Sequence, residues 1–391
     1  MLMALALTLL VVELGVRVFR GANAGVRALL YIPRLQSGYD DVTSTEELLD
    51  RTLIGHSPYA NFCGFILNSR GFLSPEYTEQ KAEGTYRVVA IGDSFTFKAG
   101  GVPFAAQWTT LLQQRLEQRM GRKVEMINLG MAGVGPRFEH RMWQLEGRRL
   151  APDLVVLGLF VGNDFTDEDG AQLAGISASQ STSFDSVLRL SYTIRLVRNL
   201  WLLKHAELES TALREQHLAP QADASSERHG GYEDPGYPAV FPNRLPPFTE
   251  EAYSNMLGWL MSLNLRSNRA GFERSFDSVA QVLRELAAEV QAAGSHLVVV
   301  VMPSEFQVDT DVRDQVLARG KTRVEDYDFD EAQRELAAFF VREGIDFVDL
   351  LPAFRERGAS IRLYRLRDTH WNLTGNALAA EQIAEHLVPP K

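Results

Sequence analysis

The sequence predicts a doubly wound α/β domain on a parallel sheet, and three observations predict it. Five short runs are almost continuously apolar, helix-period segments stand between them, and glycine ends several of those segments. Near-continuous Val, Ile and Leu marks strands buried on both faces, as in a parallel sheet flanked by helices. The runs are "YRVVAIG" (Tyr86–Gly92), "KVEMINLG" (Lys123–Gly130), "DLVVLGLFVG" (Asp153–Gly162), "HLVVVVMP" (His296–Pro303) and "IDFVDL" (Ile345–Leu350). Between the first two, Trp108, Leu111, Leu112, Leu116 and Met120 recur at helical spacing, with Gly121 at the C-terminal cap position. Phe276, Val279, Leu283, Leu286 and Val290 repeat likewise before the fourth run and end at Gly294. "DEAQRELAAFFVREG" (Asp330–Gly344) and "TGNALAAEQIAEHL" (Thr374–Leu387) supply two further helices. Strand alternating with helix is the mark of the doubly wound class.

The alternation fails from Thr166 to Arg269, which reads as an insertion. Within it, Ser186–Lys204 is an apolar-rich helical stretch with arginines spread around it, read as packing on the core or over a site. Gln216–Thr249 is rich in Pro, Gly, Ser and charge and reads as a long loop or linker.

The chain has 391 residues, 45% of them hydrophobic and 23% charged, an ordinary balance for a globular protein. A formal charge of −10 argues against a nucleic-acid partner. A single cysteine, Cys63, excludes an intrachain disulfide, and the histidines show no metal-ligand spacing, so neither metal nor cofactor is expected. At the N-terminus, Met1–Val12 is uninterrupted apolar sequence, extended to Phe19 across Glu13 and Arg17. Residues 1–20 are therefore expected to form a transmembrane signal-anchor, followed by an N-terminal extension over 21–85. A signal peptide cut after Ala22-Asn23-Ala24 and a buried helix are the competing readings. Arg17, Arg20, Arg27 and Arg34 would hold the bulk of the chain inside. The chemistry below argues for a periplasmic or extracellular domain.

In a parallel sheet, functional groups lie on loops at the C-terminal ends of the strands. Those loops carry Gly92-Asp93-Ser94, "NLGMAGVG" (Asn128–Gly135), "GND" (Gly162–Asp164), "PSEFQVD" (Pro303–Asp309) and, beyond the fifth strand, "RDTHWNLTG" (Arg367–Gly375). Together they hold a hydroxyl to attack, a histidine to take its proton, an acid to orient that histidine, and oxyanion donors. Acyl transfer needs these parts. Asp164 and "NSRGF" (Asn68–Phe72) read as turns, and Trp371 as packing rather than a sugar platform. Ser94 is read as also capping the helix that its turn begins.

These blocks resemble the SGNH (GDSL-type) hydrolase superfamily. "GDSFT" matches the first block with Ser94 at the nucleophile, and "INLGMAG" the second with Gly133 at the oxyanion glycine, Gly130 being the alternative. "VGND" matches the third with Asn163 at the oxyanion asparagine, and "DTHWNLTGNALAAEQI" the last with His370 at the base. The superfamily places its acid three residues before the histidine. That position here is Arg367, and the nearby acid is Asp368, in an Asp-x-His arrangement. The alginate O-acetylation proteins, distantly similar, carry such a pair followed by Trp.

The resemblance implies a three-layer α/β/α, flavodoxin-like SGNH domain over 86–388 with an insertion at 166–269. It implies a Ser94–His370–Asp368 ester hydrolase with an oxyanion hole of Ser94, Gly133 and Asn163. The expected substrates are O-acyl, chiefly O-acetyl, esters of carbohydrate or lipid. Alternatives are an O-acyltransferase acting on a glycan and an inactive polysaccharide-binding scaffold.

Overall fold

The computed structural model describes residues 2–22, 61–62, 65–97, 102, 104–166, 193, 196–197 and 248–388. The chain divides into two compact units. One comprises Met1–Arg51, Gly55–Glu76 and Leu173–Gln221, the other Thr52–Ile54, Tyr77–Gln172 and Ala222–Lys391.

In the first unit, the expected anchor segment is a helix, α1 (Leu2–Ala22). No helix among the described residues is long and apolar enough to cross a membrane, so the structure lends the transmembrane expectation for 1–20 no support. Beyond Val12 this helix carries charge. Glu13 pairs with Arg17 at 2.9 Å one turn on, and accepts from the N–H and hydroxyl of Thr193 at 2.9 and 2.8 Å. A two-residue hairpin, β1 (Asn61–Phe62) with β2 (Phe65–Ile66), precedes the "NSRGF" turn. Asn68 Oδ1 accepts from the N–H groups of Arg70 and Phe72, both at 3.0 Å, and its amide donates to Pro75 O at 3.2 Å. Both ends of that side chain serve the turn. Of Ser186–Lys204, only residues 193, 196 and 197 are described, and all three are helical.

The second unit holds the predicted sheet. Its strands are β3 (Tyr86–Gly92), β4 (Val124–Asn128), β5 (Leu154–Phe160), β6 (His296–Met302) and β7 (Asp346–Asp349), all parallel in the order β4-β3-β5-β6-β7. The chain runs from β3 to β4 on one side and then returns to β5 on the other. The switch point therefore lies between β3 and β5, where Gly92 pairs with Gly158. A crevice outside the carboxyl ends of the strands is the rule at such a point.

The helices are α2 (Ser94–Phe97), α3 (Trp108–Met120), α4 (Pro136–Leu145), α5 (Glu250–Met261), α6 (Arg269–Ala292), α7 (Glu305–Val308), α8 (Thr310–Gly320), α9 (Glu331–Glu343), α10 (Leu351–Gly358) and α11 (Leu373–Leu387). Alternate strand residues serve opposite faces. Val88, Ala90 and Val156 share a core with Trp108, Leu112 and Leu116 of α3 and with Ala380, Ile383 and Ala384 of α11. The α4–α6 pair and α9 form the other layer, closed by the ring contacts Phe165–Phe272 and Phe276–Phe339.

The expected insertion contains one element that its loop-like composition hides. Thr249 Oγ1 accepts from Ala252 N at 3.2 Å and starts α5, whose first turn carries Glu250 and Glu251. Tyr253, Leu257, Leu260 and Met261 recur on its buried face and pack with Phe306, Val312 and Val316. That spacing is an ordinary amphipathic stripe.

One polar residue joins α11 to α3. Asn376, fully buried, takes Trp108 N–H on Oδ1 at 3.0 Å and donates to Asn372 O at 2.9 Å and Trp371 O at 3.4 Å. Replacing it with alanine strands the Trp108 N–H in a dry interior, which costs about 1–3 kcal/mol. Asn376→Ala is expected to lower the urea midpoint by that amount with the slope of the transition unchanged.

Candidate active site

The serine turn is built by its neighbour. Asp93 is fully buried; its Oδ1 accepts from Phe95 N at 2.9 Å and its carbonyl accepts from Thr96 N and Phe97 N at 3.1 and 2.9 Å. Asp93 therefore caps α2, correcting the expectation that Ser94 does so. Ser94, the first helical residue, turns its hydroxyl the other way, to His370 Nε2 at 2.7 Å. The Phe95 ring lies 4.8 Å from the His370 ring and 5.1 Å from Trp371, edge-on to the latter. Trp371 is fully buried and packs, as its sequence context suggested.

The histidine arrives on a short hairpin. Tyr364 and Trp371 form an antiparallel bridge, Arg365 N donates to His370 O at 3.0 Å, and Asp368 N to Arg365 O at 3.2 Å. Arg367 closes the turn with φ +50°, the left-handed region. Asp368 Oδ1 accepts from His370 N at 3.1 Å and meets His370 Nδ1 at 2.7 Å. One carboxylate oxygen thus makes an Asx turn and orients the ring it turns toward. With Nδ1–H donating to Asp368, Nε2 is left to accept from Ser94 Oγ–H. The Asp-x-His spacing, a departure in the linear count, brings acid and ring together because the side chain follows the backbone turn.

Asp368 is buried and His370 keeps a quarter of its side chain exposed. Burial pushes the Asp368 carboxyl up. The His370 ring and its hydrogen bond, with the Arg365 guanidinium and the His370 N–H, outweigh burial and hold it below the ordinary carboxylate range. Arg365 Nη1 donates to Asp368 Oδ2 at 2.6 Å.

Gly133 and Asn163 stand on the loops after β4 and β5, the neighbours of β3 on either side. Gly133 has φ +73°, and a Cβ there would meet open space, whereas one on Gly130 would strike the Phe97 backbone at 2.5 Å. Gly130 is thus explained by the close approach of α2, and Gly133 is the glycine with room beside it. Among the described residues the N–H groups of Ser94 and Gly133 take no hydrogen-bond partner. Asn163 is half-buried, and its carbonyl accepts from Thr166 N and Oγ1 at 2.7 and 2.8 Å. Asp164, fully buried, accepts from Phe160 N at 2.7 Å and holds the turn.

Three polar residues escaped the sequence reading. Asn128 donates to Thr96 O at 2.7 Å and accepts from Gly130 N at 2.8 Å, fixing the glycine loop under α2. Arg365 grips Asp368. Glu305, in the loop after β6, is fully buried beside Tyr253, whose hydroxyl donates to its Oε2. Its place in the first turn of α7, after the cap Ser304, gave no sign of burial.

Residues 257–390 match the family described as "SGNH hydrolase-like domain, acetyltransferase AlgX". This part of the chain is SGNH hydrolase-like. The matched segment holds Asp368 and His370; Ser94, Gly133 and Asn163 lie before it. No curated protein sequence matches the chain. Similar solved structures include Axe2, an acetylxylan esterase from Geobacillus stearothermophilus, 14% identical over 77% of this chain and 94% of that one, TM-score 0.38. A putative lipolytic protein of the G-D-S-L family from Desulfitobacterium hafniense is 11% identical over 77% and 99%, TM-score 0.37. LAE5, an alpha/beta hydrolase enzyme from the metagenome of Lake Arreo, is 16% identical over 80% and 99%, TM-score 0.39.

Glu305 gives the site a measurable pH signature. Burial raises its pKa from 4.5 to about 8, against the Tyr253 hydrogen bond and the Arg362 charge. Between those values the native chain holds a proton that the unfolded chain has lost, so this contribution to stability is full below 4.5 and declines as pH rises toward 8. Glu305→Gln is expected to remove that decline. Its stability relative to wild type should climb from pH 5 to pH 8 by at most about 1.4 kcal/mol per pH unit, read by denaturant titration.

Proposed function

We propose that the domain is a serine enzyme acting on O-acyl esters, with acetylated carbohydrate as the substrate class. The observation that carries this reading is the unbroken hydrogen-bond chain from Ser94 Oγ through His370 to Asp368, 2.7 Å at each link. In the proposed mechanism Ser94 Oγ attacks the ester carbonyl carbon while His370 Nε2 takes the hydroxyl proton. Asp368 holds the ring in the required tautomer and stabilises the imidazolium. The tetrahedral oxyanion is met by the N–H groups of Ser94 and Gly133 and by the Asn163 amide. His370 then returns the proton to the departing alkoxide, leaving an acyl-serine.

The acceptor that releases the acyl group decides between two outcomes. Water makes the enzyme an esterase; a carbohydrate hydroxyl makes it an O-acetyltransferase. The likeness of 257–390 to a domain described as an acetyltransferase favours keeping the second outcome in the test. An extracytoplasmic setting, where polysaccharide is exposed, belongs to the same proposal.

The test is hydrolysis of p-nitrophenyl acetate, with acetate release from acetylated polysaccharides and acetyl transfer to oligosaccharides followed by mass spectrometry. Ser94→Ala is expected to lose roughly 10⁴-fold or more in kcat/KM. Asn163→Ala should lose about 10²–10³-fold, mostly in kcat, because in this mechanism its amide meets charge that develops only in the transition state. Equal rates for wild type and Ser94→Ala on every ester would overturn the enzyme reading and leave the scaffold.

A further inference from the structure

Asp368 has two oxygens and divides them. Oδ1 faces the histidine, taking its N–H at 3.1 Å and its Nδ1 at 2.7 Å. Oδ2 faces away and meets Arg365 Nη1 at 2.6 Å. Both side chains of that ion pair are largely shielded, with 12% of Arg365 and 7% of Asp368 exposed. We propose that Arg365 is a positioning residue: its guanidinium fixes the outer oxygen of Asp368 and keeps that carboxyl the ionised, correctly turned partner of His370. This rests on the Ser94–His370–Asp368 reading above and adds a fourth member to it.

The hairpin makes Arg365 a dedicated partner rather than a passing contact. Arg365 and His370 face each other across it through the Arg365 N–H to His370 O bond, and Asp368 N is tied to Arg365 O. The foot of the hairpin is anchored: Tyr364 OH donates to Pro303 O at 2.7 Å, and Tyr364 and Trp371 are both fully buried. Arginine, aspartate and histidine are therefore presented as one unit to the serine turn. A guanidinium cannot give up its proton in a protein, so its charge persists over the whole working pH range.

Charge bookkeeping gives the consequence. Arg365⁺, Asp368⁻ and neutral His370 sum to zero, and a proton on the ring makes the group cationic. Without Arg365 the group is anionic before protonation, and the Asp368–His370 pair takes up a proton at higher pH. The other ionisable side chains acting here are Glu305, from α7, on which the Asp368 charge bears, and Tyr253, Arg362 and Asp309, which also bear on Glu305. Glu305, with its pKa near 8, is mostly neutral at pH 7 and supplies little opposing charge there. Arg365 is the cation in direct contact with the carboxylate.

The experiment compares wild type, Arg365→Gln and Arg365→Lys in two readouts. The first is the pH profile of kcat/KM for p-nitrophenyl acetate between pH 5 and 9. The second is the NMR titration of the His370 ring, assigned by its loss in His370→Asn, which needs no turnover. Arg365→Gln is expected to move the acid limb and the ring titration upward by about one pH unit. On the acid side that is about a tenfold loss of kcat/KM, fading toward pH 8. Arg365→Lys, which keeps the charge, should retain the wild-type limb while losing some rate at every pH. If Arg365→Gln does not fold, Arg365→Met, with a comparable stem, carries the same expectation. A folded neutral variant with both titrations unmoved, or with a uniform rate loss at all pH, overturns the proposal and makes Arg365 a structural tie alone. A wild type without esterase activity would defeat the functional reading, whereas the ring titration would still decide the role of Arg365.

Discussion

Asn376 lies fully buried between two helices, with its side-chain oxygen on the N–H that opens Trp108–Met120 and its amide on carbonyls of its own turn. The far end of the same helix pair is closed by Arg119, which donates to Ala384 O and Val388 O at 3.0 and 2.6 Å. Between these polar ends the contact is apolar, Leu112 and Leu116 against Ala380, Ile383 and Ala384, and small side chains let the helices approach closely. The constraint matters because Ser94 and His370 are 276 residues apart in the chain. One leads toward the first of these helices and the other leads into the second. A hydroxyl and an imidazole at 2.7 Å tolerate errors of only a few tenths of an ångström. That tolerance is met by packing α11 on α3, not by the loops that carry the two residues.

The two buried carboxyls near the site show how position decides their state. Both are pushed up by desolvation. Asp368 faces a ring, a guanidinium and an N–H, and these donors together overcome the burial term. Glu305 has one phenol, the charge of Arg362, and an Oε1 with no hydrogen-bond partner among the described residues. Burial therefore wins there. Pairs of carboxyls driven apart in this way are what a site needs when one must stay ionised beside a base. For Asp368 that state is tied to its partners rather than to its own chemistry.

Much of this architecture was legible in the sequence because it repeats. Five apolar runs specify five strands, and the 3.6-residue stripes specify the helices that cover them. Ser94 and His370 were legible because the loops after buried strands are few and each carries a short, distinctive set of residues. The helix Glu250–Met261 was hidden by the proline- and glycine-rich stretch before it, although Thr249 and its two glutamates are an ordinary start signal. Asn128 and Asn376 lie inside "INLGMAG" and "DTHWNLTGNALAAEQI", Glu305 inside "PSEFQVD" and Arg365 outside every block, and no periodicity marks the role of any of them. A buried polar side chain is one letter whose meaning lies in a partner far along the chain, 268 residues away for Asn376 and Trp108.

The Asp-x-His arrangement shows why counting residues is a poor guide to geometry at a turn. An acid two positions before a histidine would, in an extended chain, share its face but lie nearly 7 Å away along the strand. Here Arg367 turns the chain with φ +50°, a conformation that costs a non-glycine residue about 1–2 kcal/mol. Asp368 then folds its carboxylate forward onto the N–H and ring of His370, and Arg365 closes on its other oxygen. Each charge-assisted hydrogen bond of this kind exceeds a neutral one, so the set offsets the strain of a single residue. The shorter spacing is thus a different backbone route to the same contact. It places the acid within the sequence span that also supplies the guanidinium, so one short hairpin presents Arg365, Asp368 and His370 together to Ser94.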